Sequence, residues 1–75
     1  MQLPLFADRI ELCGNTDIYF DRCRRLIECS EMLVLAELGG HRIAVWGHGL
    51  KASDYASGGL HVSGQICAVE FDGGL

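Results

Sequence analysis

Glycine placement constrains this chain more than any other feature. Gly14-Asn15, Gly39-Gly40, Gly47-His48-Gly49, Gly58-Gly59 and Gly64 divide it into short apolar runs of strand length, such as Arg42-Ile43-Ala44-Val45-Trp46. The runs end where a tight reversal needs positive φ, which glycine adopts without steric penalty. This punctuation excludes a helical fold and predicts an all-β chain.

Residues 1–8 carry Pro4 and little periodicity and read as an N-terminal leader, with a single β domain over residues 9–75. Ile10 and Leu12 alternate with Glu11 and Cys13, Gly14-Asn15 supplies a turn, and Ile18-Tyr19-Phe20 is β-branched and aromatic, as strands prefer. Leu26-Ile27-Glu28-Cys29 and Met32 to Leu38 follow. Gly47-His48-Gly49 reads as a turn, Leu50-Lys51-Ala52 as a short strand, and Ser53 to Ser57 as a loop or one helical turn. Gly64 interrupts a strand pattern and predicts a bulge or tight bend, with the apolar phase shifting from Ile66 to Val69 and Phe71. Asp72 to Leu75 reads as a flexible end. The spacing from Gly40-x-x-Ile43-x-Val45 to Gly59-Leu60-x-Val62 hints at a repeat.

Gly39-Gly40 predicts a two-residue hairpin loop, which sets the register of both flanking strands. Leu38 then faces His41, Glu37 faces Arg42, Ala36 faces Ile43, Val34 faces Val45 and Leu33 faces Trp46. Opposite charges at Glu37 and Arg42 would contribute roughly 0.2–1 kcal/mol. Both faces of this hairpin are apolar, whereas a hairpin with one wet face alternates more cleanly. Val34, Ile43 and Val45, with Val62, Ile66 and Phe71, are the expected core. Leu33, Leu35 and Trp46 are the expected contact residues for another protein; the converse allocation of the two faces fits the same register.

Size points the same way. A chain of 75 residues buries only about 60–65 % of the surface exposed when unfolded. With 49 % hydrophobic and 21 % charged residues, this chain is more apolar than so thin a core readily hides, so self-association into a homo-oligomer is expected. The net charge of −4 argues against nucleic acid or anionic lipid as a partner. Arg22, Arg24 and Arg25, flanked by Asp21 and Glu28, read as a solvated bend with local ion pairs. No signal peptide and no apolar run of membrane-spanning length is visible, so a cytoplasmic location is expected.

The chemistry-bearing residues form no known motif. Cys13, Cys23, Cys29 and Cys67 with His41, His48 and His61 are enough ligands for zinc, but they lack the short paired spacings of structural sites. In a reducing compartment the cysteines are expected to be buried small hydrophobes. Ser53, Ser57 and Ser63 can be combined on paper with His48 or His61 and Asp54, but G-x-S-x-G is absent, as are phosphate-binding glycine loops. Trp46, Tyr19 and Tyr55 would suit a stacking platform for single-stranded nucleic acid, against the acidic balance. The expectation is therefore no catalytic residues, no cofactor and no metal; a small Cys/His metal- or ligand-binding protein is the alternative.

Several segments in order resemble the YabP/YqfC family of bacterial sporulation proteins. They are Ile10-Glu11-Leu12-Cys13-Gly14-Asn15-Thr16-Asp17-Ile18, Leu26 to Ser30 with Val34, Gly40 to Leu50, and Leu60 to Phe71, together covering about residues 9–71. The basic stretch from Asp21 to Arg25 and the small Ala52 depart from the family pattern. The resemblance implies a non-enzymatic structural or assembly protein of endospore formation, in the cytoplasm or peripheral to the forming spore, alongside a membrane-bound sporulation partner. It implies no catalytic or cofactor residues. The fold expected from strands and turns is an antiparallel meander of six to eight short strands forming a small sandwich or open barrel, with a short β-solenoid as the alternative.

Overall fold

The computed structural model describes residues 9–72. The expected leader, and residues 73–75 of the expected flexible end, lie outside the described residues. Six strands follow in order: β1 (Ile10–Cys13), β2 (Asp17–Phe20), β3 (Arg25–Cys29), β4 (Leu33–Glu37), β5 (Arg42–Tyr55) and β6 (Gly59–Asp72). They form one sheet in the order β1-β2-β6-β5-β4-β3. Every ladder is antiparallel, so the solenoid alternative falls: stacked rungs would pair in parallel. Strands β3 to β6 form the expected meander, and the chain between β2 and β3 crosses from one side of the sheet to the other.

The register read from Gly39-Gly40 is the one observed. Leu33 pairs with Trp46, Val34 with Val45, Ala36 with Ile43 and Glu37 with Arg42, and the Leu38 amide donates to the His41 carbonyl at 2.8 Å. Gly40 has φ +90°, so the turn uses the conformation that glycine was expected to supply.

Beyond Trp46 the chain departs from expectation. β5 and β6 are each 14 residues long, and β5 absorbs the predicted Gly47-His48-Gly49 turn, the short strand after it, and the predicted loop at Ser53, Asp54 and Tyr55. These last residues are exposed on both faces, at the end of the hairpin beyond the core; they pair with His61, Leu60 and Gly59. The reversal is confined to residues 56–58, where Ala56 takes φ 53° and Gly58 φ 84°. Asp72 belongs to β6.

Instead of turning the chain, the glycines at 47, 49 and 64 bend this long hairpin. Gly47 pairs with Ile66 and Trp46 with Ala68, leaving Cys67 as an extra residue on β6; farther along, Gly49 and Leu50 together oppose Gly64. Such bulges bend a strand and raise its twist. They also bring backbones into close approach: a Cβ on Gly64 would lie 2.6 Å from the Gly49 carbonyl oxygen, and one on Gly47 would collide with the Gln65 carbonyl. The expected phase shift from Ile66 to Val69 is the bulge at Cys67, and Leu60, Val62 and Ile66 before it remain on one face.

The bend divides the sheet into two halves that share the long hairpin. β4 and β3 flank the first part of β5, and β2 and β1 flank the first part of β6. In a flat sheet β2 and β4 would stand about 14 Å apart, three strand spacings. Here Ile18 and Phe20 of β2 share one buried cluster with Val34 and Ala36 of β4, Ile43 and Val45 of β5, and Val62 and Ile66 of β6. A one-sheet protein can bury that face only by folding it onto itself, and the smallest extent of the molecule, 22 Å, is about twice a single layer of ~10 Å. The outermost strands β1 and β3 do not pair, so the barrel is open. Phe71, expected in the core, is 61 % exposed. It lies opposite buried Ile43 of β5, but near the end of β6, past the residues 60–63 that β2 borders, so its other side is open among the described strands.

The two halves repeat one pattern. Residues 9–21 and 25–37 each build a hairpin, with Arg9 matching Arg25, Ile10 matching Leu26, Ile18 matching Val34 and Asp21 matching Glu37, although β3 carries a bulge between Leu26 and Glu28 that β1 lacks. The Gly64 and Ile66 amides donate to the carbonyls of Thr16 and Asn15, as those of Gly47 and Leu50 donate to Met32 and Glu31. Ile43 and Val45 correspond to Leu60 and Val62, and the scheme centres on the pair His48 and Gln65. The repeat hinted at between Gly40 and Gly59 is thus the second part of a longer one.

Gly40→Ala and Gly64→Ala separate conformational from steric demand. A Cβ on Gly40 meets open space, so its replacement should cost only about 1–2 kcal/mol for the left-handed conformation. Gly64→Ala adds the backbone collision and should cost more than ~3 kcal/mol or prevent folding. Urea unfolding of the two variants measures the difference.

Candidate functional site

Residues opposite one another in a ladder share a face, so the outward face of the first half follows from the register. Leu33, Trp46 and Ala68 form one row across β4, β5 and β6, and Leu35, Ala44 and Glu70 form the next. The expected contact residues Leu33, Leu35 and Trp46 therefore do share a surface, opposite in direction to buried Val34, Ala36, Ile43 and Val45. Leu33, Leu35 and Ala44 are half-buried, and Trp46 is 41 % exposed. The indole Nε1 of Trp46 donates to Glu70 Oε1 at 3.1 Å, which orients the ring and satisfies its only donor. Beside it lies a shallow, open depression lined by Leu35, Ala44, Glu70 and Phe71.

At the margin of this face, Glu37 lies opposite Arg42 as expected, but its ion pair is with Arg25 of β3 at 3.0 Å. Glu37 stands between the two arginines, opposite Arg25 in one ladder and Arg42 in the other. The Arg25 side chain is largely solvent-exposed, which limits the pair to about 1 kcal/mol or less.

The outward face of the second half has a different character. Asp17 Oδ1 lies 2.8 Å from His61 Nε2, and the Thr16 hydroxyl donates to Asp17 Oδ2 at 2.7 Å. The His61 ring stacks on Tyr19, with centroids 4.4 Å apart and planes within 8°; Tyr55 packs on the same tyrosine at 4.9 Å. The hydrogen bond from Thr16, followed by that from His61, holds the Asp17 carboxyl below the usual carboxylate range. Partial desolvation, helped by the Asp17 charge, raises the Tyr19 phenol.

Sequence reasoning missed this cluster because β2 and β6 are distant along the chain, and nothing local sets their register. The alternation of Asp17 and Tyr19 with Ile18 and Phe20 was its one visible signal. The paper combination of His61 with Asp54 fails geometrically: His61 pairs with Ser53, so the adjacent Asp54 lies on the opposite face. Tyr19 and Tyr55 come together, but Trp46 is on the outward face of the other half, so the three aromatics form no single platform.

The cysteines also correct the expectation of burial. Cys13, Cys29 and Cys67 are exposed and Cys23 is half-buried, all as free thiols. Cys13 and Cys29 end the outermost strands and Cys67 is the extra residue of a bulge, positions that the core does not cover. Burial raises the Cys23 thiol above its ordinary pKa. Among the described residues, no three His, Cys, Asp or Glu side chains are grouped so as to hold a metal ion, and no helix is long and apolar enough to cross a membrane. No protein-family model, curated protein or solved structure matches the chain.

The Asp17 shift gives a pH dependence with a defined sign. Its folded pKa is depressed, so its stabilisation is fully present above the unfolded value and is lost as pH falls through the folded value, which places the window below about pH 4. The stability gap between the wild type and Asp17→Asn should be largest at neutral pH and shrink below that point. Urea midpoints of both proteins across the acid range test this.

Proposed function

We propose that this chain is a non-enzymatic structural or assembly protein of endospore formation that acts through protein–protein contacts and self-association. The observation that carries the reading is the outward apolar surface of Leu33, Leu35, Ala44 and Trp46, set on the back of a sheet whose other side already supplies the core. Aromatic anchors surrounded by aliphatic side chains are typical of interface centres. Unpaired strand edges provide a second mode of contact, because they offer main-chain donors and acceptors for strand addition. The order of glycines and aliphatics shared with the YabP/YqfC family supplies the biological setting. In that setting the chain works in the cytoplasm or at the periphery of the forming spore, with a membrane-bound sporulation protein as a partner.

Deletion of the gene in its host, with sporulation then induced, tests this function. The count of heat-resistant spores should fall and be restored by expression of the wild-type chain. An undiminished count overturns the assignment to sporulation.

A further inference from the structure

The bend leaves each half of the sheet with an open strand edge on both sides. In the first half, rows of opposed residues run from β3 through β4 and β5 to the last part of β6. In the second they run from β1 through β2 and β6 to the last part of β5. Main-chain groups at an edge accept any extended chain, and the side chains at the row ends add the selectivity. In the first half the two ends of a row match each other. The row Arg25, Glu37, Arg42, Asp72 alternates in formal charge across its strands, so it begins with a cation and closes with an anion. The next row, Leu26, Ala36, Ile43, Phe71, lies on the core face. It ends in two apolar residues left open to water, Leu26 at 41 % exposure and Phe71 at 61 %. A second core-face row, Cys29, Val34, Val45, Val69, ends in an exposed thiol and a half-buried valine.

We propose that copies of this chain join edge to edge, β3 of one against the last part of β6 of the next, so that this half-sheet continues from molecule to molecule. The proposal rests on the assembly reading above and names the contact. Every ladder between β3 and β6 is antiparallel, so the two edge strands run in opposite senses. A copy displaced sideways, without being turned over, therefore presents its β6 antiparallel to β3. In that register Phe71 of one copy meets Leu26 of the next, Val69 meets Cys29, and Asp72 comes opposite Arg25. The exposed apolar row ends cover one another, and the alternation of charge passes across the junction. Glu28 opposite Glu70 is the one unfavourable row, next to the bulge at Ile27. The second half supplies the comparison. The same displacement there would set Asp54 against Ile10 on the core face and Lys51 against Cys13 on the other, so its edges do not match. A contact between two different edges leaves one of each free at every step, and it repeats into an open chain or a ring.

Sedimentation velocity of the wild-type chain from low to high micromolar concentration reads the contact, and the mean mass should rise past that of a dimer. Glu28→Lys turns the unfavourable row into an opposite-charge pair and should move that rise to concentrations about two- to fivefold lower. Val69→Cys, combined with Cys13→Ser and Cys67→Ser, reads the register. Within one copy the introduced thiol and Cys29 stand about 14 Å apart, three strand spacings, too far for a disulfide. Mild oxidation should therefore link neighbouring copies into trimers and larger species on a non-reducing gel, and Cys29→Ser should abolish them. A wild-type chain that stays monomeric, or that stops at a dimer, overturns the edge-to-edge contact, while the spore count judges the assembly reading separately. Association unmoved by Glu28→Lys, with no linkage that depends on Cys29, assigns self-association to another surface and overturns it as well. If Val69→Cys loses its β-sheet circular dichroism spectrum, the wild-type mass and its response to Glu28→Lys decide the question.

Discussion

The fold depends on one close backbone contact, where Gly49 of β5 passes over Gly64 of β6. Two fourteen-residue antiparallel strands would otherwise form a long ribbon, and a sheet built on that ribbon would leave its apolar side facing water. The extra residues at Gly49-Leu50 and Cys67 turn both strands within a few positions of each other. Ile18 and Phe20 are thereby brought over Val34, Ala36, Ile43 and Val45. Complete burial of a large apolar side chain is worth about 1.5–3 kcal/mol, and the bend supplies such burial at each of these larger positions at once. A side chain at Gly47 or Gly64 would push against the backbone of the facing strand, while Gly49 meets open space there and is needed instead for its φ of +61°.

The same bend explains why two halves with one pairing scheme can differ so much outside. Inward positions of both halves must fill the shared core, so Ile18 and Val34, like Leu60 and Ile43, are interchangeable in kind. Outward positions are released from that requirement. In one half they hold Asp17, Tyr19, His61 and Ser63, with Asp17 bonded to His61 and Tyr19 stacked on that imidazole. In the other they hold Leu33, Leu35, Ala44 and Trp46, which have no such matching and form an apolar surface. Equivalent outward positions thus carry different chemistry in the two halves, because the shared core places no demand on them.

What the sequence disclosed follows the range of each interaction. The Gly39-Gly40 reversal joins neighbours in the chain, so the register from Leu33 to Trp46 and the sharing of a face by Leu33, Leu35 and Trp46 could be read directly. Five of six expected core residues lie in strands whose inward phase is set by such local pairing or by simple alternation. Phe71 failed because alternation states which way a side chain points and not whether anything lies above it. Ser53 to Tyr55 were misread since a strand end exposed on both faces looks like a loop until the pairing with Gly59 to His61 is known. The Asp17 and His61 pair joins strands separated by most of the chain, and its register depends on the bend at Gly64. Glycine at that position announces a distortion without stating its direction.

The exposed thiols illustrate the same divide between local and distant information. Cys13 and Cys29 are apolar enough to suit a core, yet each ends an outermost strand, where the folded sheet offers no cover. Cys13 lies opposite Asp17 and so shares the outward face, while Cys29 ends a strand that has a neighbour on one side only. Were the barrel to close, the edge residues near Leu12 and Leu26 would be shielded, and the molecule would have little strand edge to offer. The open order therefore sets how the protein can meet others: strand edges at β1 and β3, and one apolar sheet face at Trp46. The face is the more selective of the two, because it requires a surface that complements an oriented indole, whereas an edge accepts any extended chain with free main-chain donors and acceptors.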